Sequence, residues 1–274
     1  MTDLARAWIV PVDVPPDTAA GCRDVLDDGE RARAAAFLSP RDRQRFTVAH
    51  GALRLLAGHE LGTRPAALAW VPGPNGKPEL APPWSGLHTS LSHSGDMIAV
   101  AISTSRPVGV DIQHLVPGLD PVALAARFFP PEEHAYVVAG RDPGARADRF
   151  AQLWARKEAV VKAAAGRLWP NLKIAVHGRD VVSCAEPQAA CRVADVPAPP
   201  GFRAAVALTG AAPFTAEAAD WPIPFRLADD HGDVAHWGCS AKPEIPDPAD
   251  QVPHLVIEWT ADLPKPSSSP SVQR

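Results

Sequence analysis

Between residues 41 and 61, Phe46, Ala49, Leu53, Leu56 and Leu61 recur at helical spacing, and Arg41, Arg43, Arg45 and Arg54 fill the other faces. That period predicts an amphipathic helix with a basic side. A short apolar run at 68–71 predicts a strand. The Pro/Gly-dense stretch at 72–78 that follows predicts a loop, which carries Lys77. Three β-type runs, at 87–92, 97–103 and 108–113, are joined by Ser94-Gly95-Asp96 and by a turn at Pro107, and they read as an antiparallel meander.

Further along, a helix over 121–129 is stopped by Pro130-Pro131, and a second runs over 132–139. The longest helical pattern covers 148–167 and ends near Gly166 and Pro170. Strand-like segments return at 173–176, 181–184 and 202–208. The chain thus runs helix then strands, twice, which suggests an α+β fold of two similar halves. We divide it into an N-terminal half at 1–106, a second half at 107–210 and a Pro-rich extension at 211–274. Within the extension, 255–259 could add an edge strand, and the last dozen residues read as disordered.

Composition narrows this only a little. With 274 residues, 46% of them apolar, the chain can bury one large core or two smaller ones. A net charge of −4 argues against a protein that coats nucleic acid. The opening MTDLARAWIV lacks the apolar core of a secretory signal, and no stretch approaches the ~20 apolar residues a membrane helix needs. The expectation is a cytoplasmic, monomeric protein with no membrane or nucleic-acid partner. Cys22, Cys184, Cys191 and Cys239 show neither a CxxC pair nor zinc-finger spacing, so they read as reduced packing residues.

The chemistry concentrates in three places. In Gly109-Val110-Asp111-Ile112-Gln113, strand alternation puts Asp111 and Gln113 on one side and Val110 and Ile112 in the core. Alone this is weak, because an Asp at a strand end more often caps a turn. Trp154, Glu158 and Lys162 share a helix face at intervals of four. The plainer reading there is a solvated Glu–Lys pair worth ~0.3–0.5 kcal/mol, which sits poorly with a Trp on the same stripe. Lastly, Leu91-Ser92-His93-Ser94-Gly95 gathers hydroxyl, imidazole and backbone donors suited to phosphate oxygens, although a Ser-His turn is usually only a cap. A Ser-His nucleophile pair is disfavoured, since strand neighbours face opposite ways and Gly-x-Ser-x-Gly is absent.

Taken together, these motifs resemble the Sfp-type 4′-phosphopantetheinyl transferase family, whose pattern is a G-[IV]-D-[IV]-E strand followed about forty residues later by W-x-x-K-E-x-x-x-K on a helix. The counterparts here are Gly109 to Gln113 and Trp154 to Lys162. Ser92-His93-Ser94, Gly76-Lys77-Pro78, the Arg-rich run from Ser39 to Phe46, and Arg127-Phe128-Phe129 with Glu132-Glu133 fall in family order, so the likeness covers about residues 5–210. It departs at Gln113, where the family most often has a second acid; an amide oxygen can still bind Mg²⁺ but carries no charge.

The resemblance implies a pseudo-dimer with its active site at the interface of the halves. It also implies transfer of the 4′-phosphopantetheine arm of coenzyme A to a serine of an apo acyl or peptidyl carrier protein, releasing 3′,5′-ADP. Asp111, Glu158 and Gln113 would hold Mg²⁺, with Mn²⁺ as an alternative, and Lys162 would reach the same phosphates as a catalytic group with Asp111 and Glu158. Arg45 and His93 would contact the 3′-phosphate of coenzyme A, and Lys77 and Ser92 the adenine and phosphate side. The base for the incoming serine would be Glu158, a water on the metal, or Glu133. Two other readings compete: a Mg²⁺-dependent nucleotide or coenzyme A phosphohydrolase, and a non-catalytic coenzyme A-binding module.

Overall fold

Both long helices begin where the sequence supplies a cap and a proline. The Ser39 hydroxyl accepts the Asp42 N–H ahead of Pro40, and the Asp142 carboxylate accepts the Ala145 N–H ahead of Pro143. The computed structural model describes residues 2–116, 118–185 and 187–221, with the backbone of 226–228 and 234–236. In chain order these form β1 (Asp3–Pro11), α1 (Pro16–Asp24), α2 (Asp28–Ala36), α3 (Pro40–Leu61), β2 (Trp70–Pro72), β3 (Pro78–Leu80), β4 (His88–Ser94), β5 (Met97–Ser103) and β6 (Val108–His114). There follow α4 (Pro121–Phe128), α5 (Pro131–Val138), α6 (Pro143–Ala163), α7 (Leu168–Asn171), β7 (Val181–Cys184), β8 (Ala189–Val196), β9 (Phe202–Thr209), β10 (Phe214–Ala219), β11 (Arg226–Ala228) and β12 (Val234–His236).

Two four-stranded sheets carry this mixed α/β fold, one in the order β10-β1-β5-β4 and the other β6-β9-β8-β7. Side-chain alternation sorts their faces. On the first sheet, Trp8, Val10, Ile98 and Val100 pack against Val48, Ala52 and Leu56 of α3. Ala5, Ala7, Ala99 and Ala101, on its other face, meet Val110, Ile112, Val206 and Leu208 of the second sheet. The second sheet's far face, with Val193, Ala205 and Ala207, packs against Leu153, Val160 and neighbours on α6. The layers are therefore helix, sheet, sheet, helix, and both sheets are buried on both faces.

Several expected elements are corrected here. The three mid-chain strands do not form one meander: β4 and β5 pair with each other, whereas β6 leaves for the second sheet and pairs with β9 from Val108↔Leu208 to His114↔Phe202. Residues 173–176 form no strand, because the Val176 and His177 N–H groups bond the Glu133 carboxylate instead of a neighbouring strand. The second long helix starts earlier and ends earlier than the 148–167 pattern suggests. Within the proposed extension, β10 pairs in parallel with β1, from Asp3↔Phe214 to Trp8↔Ala219. The expected strand at 255–259 and the terminal dozen residues lie outside the described residues.

Cys22, Cys184 and Cys191 are buried free thiols, in keeping with packing roles; Cys239 lies outside the described residues. Among the described residues no helix is long and apolar enough to cross a membrane.

Candidate functional site

The edges of the two sheets meet where β6 runs alongside β4, and hydroxyl groups lace the seam. Ser90 Oγ accepts the Val110 N–H at 3.0 Å and Ser94 Oγ accepts the His114 N–H at 3.0 Å. Between them, Ser92 Oγ donates to Asp111 Oδ1 at 2.6 Å. These serines share one face of β4 because they are two residues apart. Residues 93 and 94, expected in a turn, belong to the strand, and the turn itself falls at Gly95, whose φ of +55° is a conformation glycine adopts freely.

Helix α6 covers the same point on β6. A Cβ at Gly109 would stand 2.0 Å from the Ala159 carbonyl oxygen and 2.3 Å from the Ala163 nitrogen, so only glycine permits this backbone-to-backbone approach. The approach brings side chains one turn apart on α6, Glu158 and Lys162, to Asp111. Lys162 Nζ lies 2.7 Å from Asp111 Oδ1 and also donates to Ser92 Oγ at 2.9 Å. Asp111 Oδ2 is buried and has no hydrogen-bond partner.

The electrostatics follow from a buried acid with a second acid and a cation half-buried beside it. Burial pushes the Asp111 carboxyl up, against the pull of Lys162 and the Ser92 hydrogen bond. Burial likewise raises Glu158 to about 7; Lys162 opposes that rise and the neighbouring Asp111 adds to it. Burial works against the Lys162 charge, yet Asp111 and Glu158 outweigh it and hold the ammonium above the ordinary lysine value.

The structure therefore gathers Asp111, Ser92, Glu158 and Lys162, and it gives other expected residues different surroundings. Gln113 shares the Asp111 side of β6, and its amide donates to the adjacent His114 carbonyl at 3.3 Å. Lys77 Nζ donates to the Val108 carbonyl at 2.9 Å, and burial draws its pKa down to about 8. Arg45, near the start of α3, is nearly buried and pairs with Asp42 at 2.6 Å. His93 follows Ser92 on β4 and so takes the opposite face of the strand.

Two assignments are overturned. Arg54 does not belong to an exposed basic side of α3: it is fully buried, bonded to Glu30 at 2.5 Å, to Asp27, and to the carbonyls of Pro65 and Leu68. Glu133 is unsuited to act as a base. It is fully buried, with Oε1 accepting the Val176 and His177 N–H groups at 2.5 and 2.8 Å and Oε2 lying 2.5 Å from Lys157 Nζ.

Sequence reasoning grouped Ser92 with phosphate contacts and missed its bond to Asp111. Strand register on either side of a loop carries no signal of which edges meet. Among the described residues no group of three or more His, Cys, Asp or Glu side chains is gathered to hold a metal. Two carboxylates, one with a buried unpartnered oxygen, nevertheless suit a hard divalent cation that takes its remaining oxygens from water or from a phosphate ligand.

Comparison with known proteins bears on the same elements. The sequence profile of the 4′-phosphopantetheinyl transferase superfamily matches residues 107–191, from the start of β6 into β8. The 4′-phosphopantetheinyl transferase HetI of Nostoc sp. is 34% identical over 60% of this chain and 69% of its own. Slr0495 of Synechocystis sp., provisionally named for the same activity, is 35% identical over 60% of this chain and 65% of its own. A 4′-phosphopantetheinyl transferase of Bacillus subtilis is 32% identical over 49% and 58%. The chain thus spans less than two thirds of the Synechocystis and Bacillus proteins and slightly more of HetI. The profile lies across both elements that carry the acidic pair, and the HetI match extends well beyond it: the chain belongs to the 4′-phosphopantetheinyl transferase superfamily.

Proposed function

We propose that this protein transfers the 4′-phosphopantetheine moiety of coenzyme A to a serine of an apo acyl or peptidyl carrier protein, releasing 3′,5′-ADP. The observation that carries the reading is the convergence of Asp111 from β6 with Glu158 and Lys162 from α6, around an Asp111 oxygen left without a partner. The relatives named above carry this activity in their names, and the superfamily profile spans both elements.

In this reading Asp111 and Glu158 hold Mg²⁺, or Mn²⁺ in its place, with Gln113 as third partner. When bound, the metal supplies charge neutralisation and polarisation of the coenzyme A pyrophosphate. The chain's own groups do the rest. Ser92 fixes the Asp111 carboxylate through Oδ1, which leaves Oδ2 without a hydrogen-bond partner. Lys162 places an ammonium against the pyrophosphate, offsetting charge that builds on the departing 3′,5′-ADP. Glu158 stands beside Asp111 and Lys162 at the site and is proposed to accept the serine proton.

Arg45 and His93 are proposed to bind the 3′-phosphate, and Lys77 the adenine and phosphate side. Lys77 would first have to give up its bond to the Val108 carbonyl. We also propose that 1–106 and 107–210 are two similar halves of a monomeric, cytoplasmic enzyme with the site between them. The seam between β4 and β6 supports the placing of the site between them.

Incubation with coenzyme A, Mg²⁺ and several apo-carrier domains, followed by mass spectrometry of the carriers, tests the proposal. A gain equal to the phosphopantetheine arm on one of them is expected. Hydrolysis of coenzyme A without any carrier being modified would favour the phosphohydrolase, and binding without turnover would favour the non-catalytic module.

A further inference from the structure

Asp111 Oδ1 is shared between two donors of different kinds. Ser92 bonds it with a hydroxyl at 2.6 Å, and Lys162 bonds it with a full positive charge at 2.7 Å while also resting on Ser92 Oγ at 2.9 Å. These three contacts close a triangle. The carboxylate's other oxygen is buried without a partner, and Glu158 stands one turn from Lys162 on the same face of α6. An ammonium and a dication drawn to the same pair of carboxylates repel each other strongly where water is scarce. Both cannot be held well at once, unless the lysine finds another anion.

We infer that Lys162 and a divalent cation compete for Asp111, and that cation binding is thereby coupled to the binding of a diphosphate, which gives the displaced ammonium a new partner. The inference rests on the proposed reading of this site as a metal and coenzyme A site. Lys162 then has a second role besides touching the pyrophosphate: it holds the acidic pair neutral enough to remain folded side by side, and it makes the free protein a poor metal binder. Coupling of this kind is reciprocal, so the metal must raise the affinity for the diphosphate by the factor by which the diphosphate raises affinity for the metal.

The test is a direct binding measurement, with Mn²⁺ as the probe and its free-ion electron paramagnetic resonance signal as the readout, on the full chain with and without coenzyme A and with no carrier present. Wild type is expected to bind Mn²⁺ weakly alone and more tightly with coenzyme A. Lys162→Met should bind Mn²⁺ alone about tenfold more tightly than wild type, and coenzyme A should add less to it. Lys162→Gln provides the same comparison if the methionine variant does not fold, and Lys162→Arg, which keeps the charge, should behave as wild type. Neutral variants that bind Mn²⁺ no more tightly than wild type, while wild type does bind it with coenzyme A, would overturn the competition and leave the metal site standing. Failure of wild type to bind Mn²⁺ even with coenzyme A would overturn the metal reading and the competition together.

Discussion

The two long helices carry buried charge in opposite ways. On α3, Arg54 sits in the interior with every side of its guanidinium met, by Glu30, Asp27 and two backbone carbonyls. Near the C-terminal end of α6, Glu158 and Lys162 face an aspartate with one oxygen unpartnered, and burial drives both acids away from their ordinary values. Even within α6 the contrast repeats. Lys157, next to Glu158, is enclosed with Glu133 at 2.5 Å and lies against the Phe129 ring. A closed network stabilises a particular packing, whereas an open one holds charge in readiness for something that is not protein.

The sharpest way to break this comparison is to remove the acids from the open cluster. Asp111→Ala or Glu158→Ala should lower carrier modification by on the order of 10³-fold or more, with the fold retained and activity compared per folded molecule. Wild-type transfer rates in either variant, read by mass spectrometry, would remove the site. The converse is expected at the closed network. Arg54→Met leaves Glu30 and Asp27 without their shared guanidinium, with His50 still against Glu30 at 3.1 Å, and it should cost roughly 3 kcal/mol of stability in denaturant unfolding, while activity per folded molecule stays near wild type.

A smaller effect separates the two networks by pH. Glu158 is raised by burial from 4.5 to about 7, so between those values the folded state binds more protons than the unfolded state and the wild type loses stability as pH rises. Glu158→Gln cannot lose it. The variant should match wild type near pH 4.5 and exceed it by about 1 kcal/mol above pH 7, a figure reduced from the full linkage value because the side chain keeps some contact with water. Denaturant titrations in chelator at the two pH values check this; an equal difference at both would show that the carboxyl is not perturbed. The smallest effect is expected at Gln113. Gln113→Glu should preserve transfer at saturating Mg²⁺ and raise it a few-fold, at most, when Mg²⁺ is limiting. A clear loss would mean that this position does not bind metal.

How much of this was legible in the sequence depended on the partner each residue needed. The long helices were readable because α3 and α6 each bury an apolar face at a period of 3.6, although the Pro143 start of α6 was overlooked for want of apolar residues in its first turn. Strand β1 was missed because it is covered on both sides, by Trp8 and Val10 on one and Ala5 and Ala7 on the other; it therefore shows no polar alternation. Strands β8 and β10 are rich in Ala and carry Asp195 and Glu217 respectively, residues depleted in strands. The order of β4, β5 and β6 suggested a meander because sequence shows that strands exist, not which edges pair.

At the site, Asp111, Glu158 and Lys162 were found by face-sharing within one element and by ordered motifs. The Ser92 bond to Asp111, the Arg54 network and the Glu133–Lys157 pair all join residues far apart in the chain, and local spacing holds no trace of them.

Strand β10 is the last strand of the first sheet to be synthesised. It pairs with β1, and the whole of the second sheet and α6 lie between them in the chain. On a ribosome, β1, β4 and β5 emerge early, but the outer edge of β1 has no neighbour until residues 214–219 have been made. Through that interval the nascent chain carries an open sheet edge, a template for pairing with other chains. Synthesis slowed between residues 103 and 219 would lengthen the exposure, and a fragment ending after β9 would keep it for good.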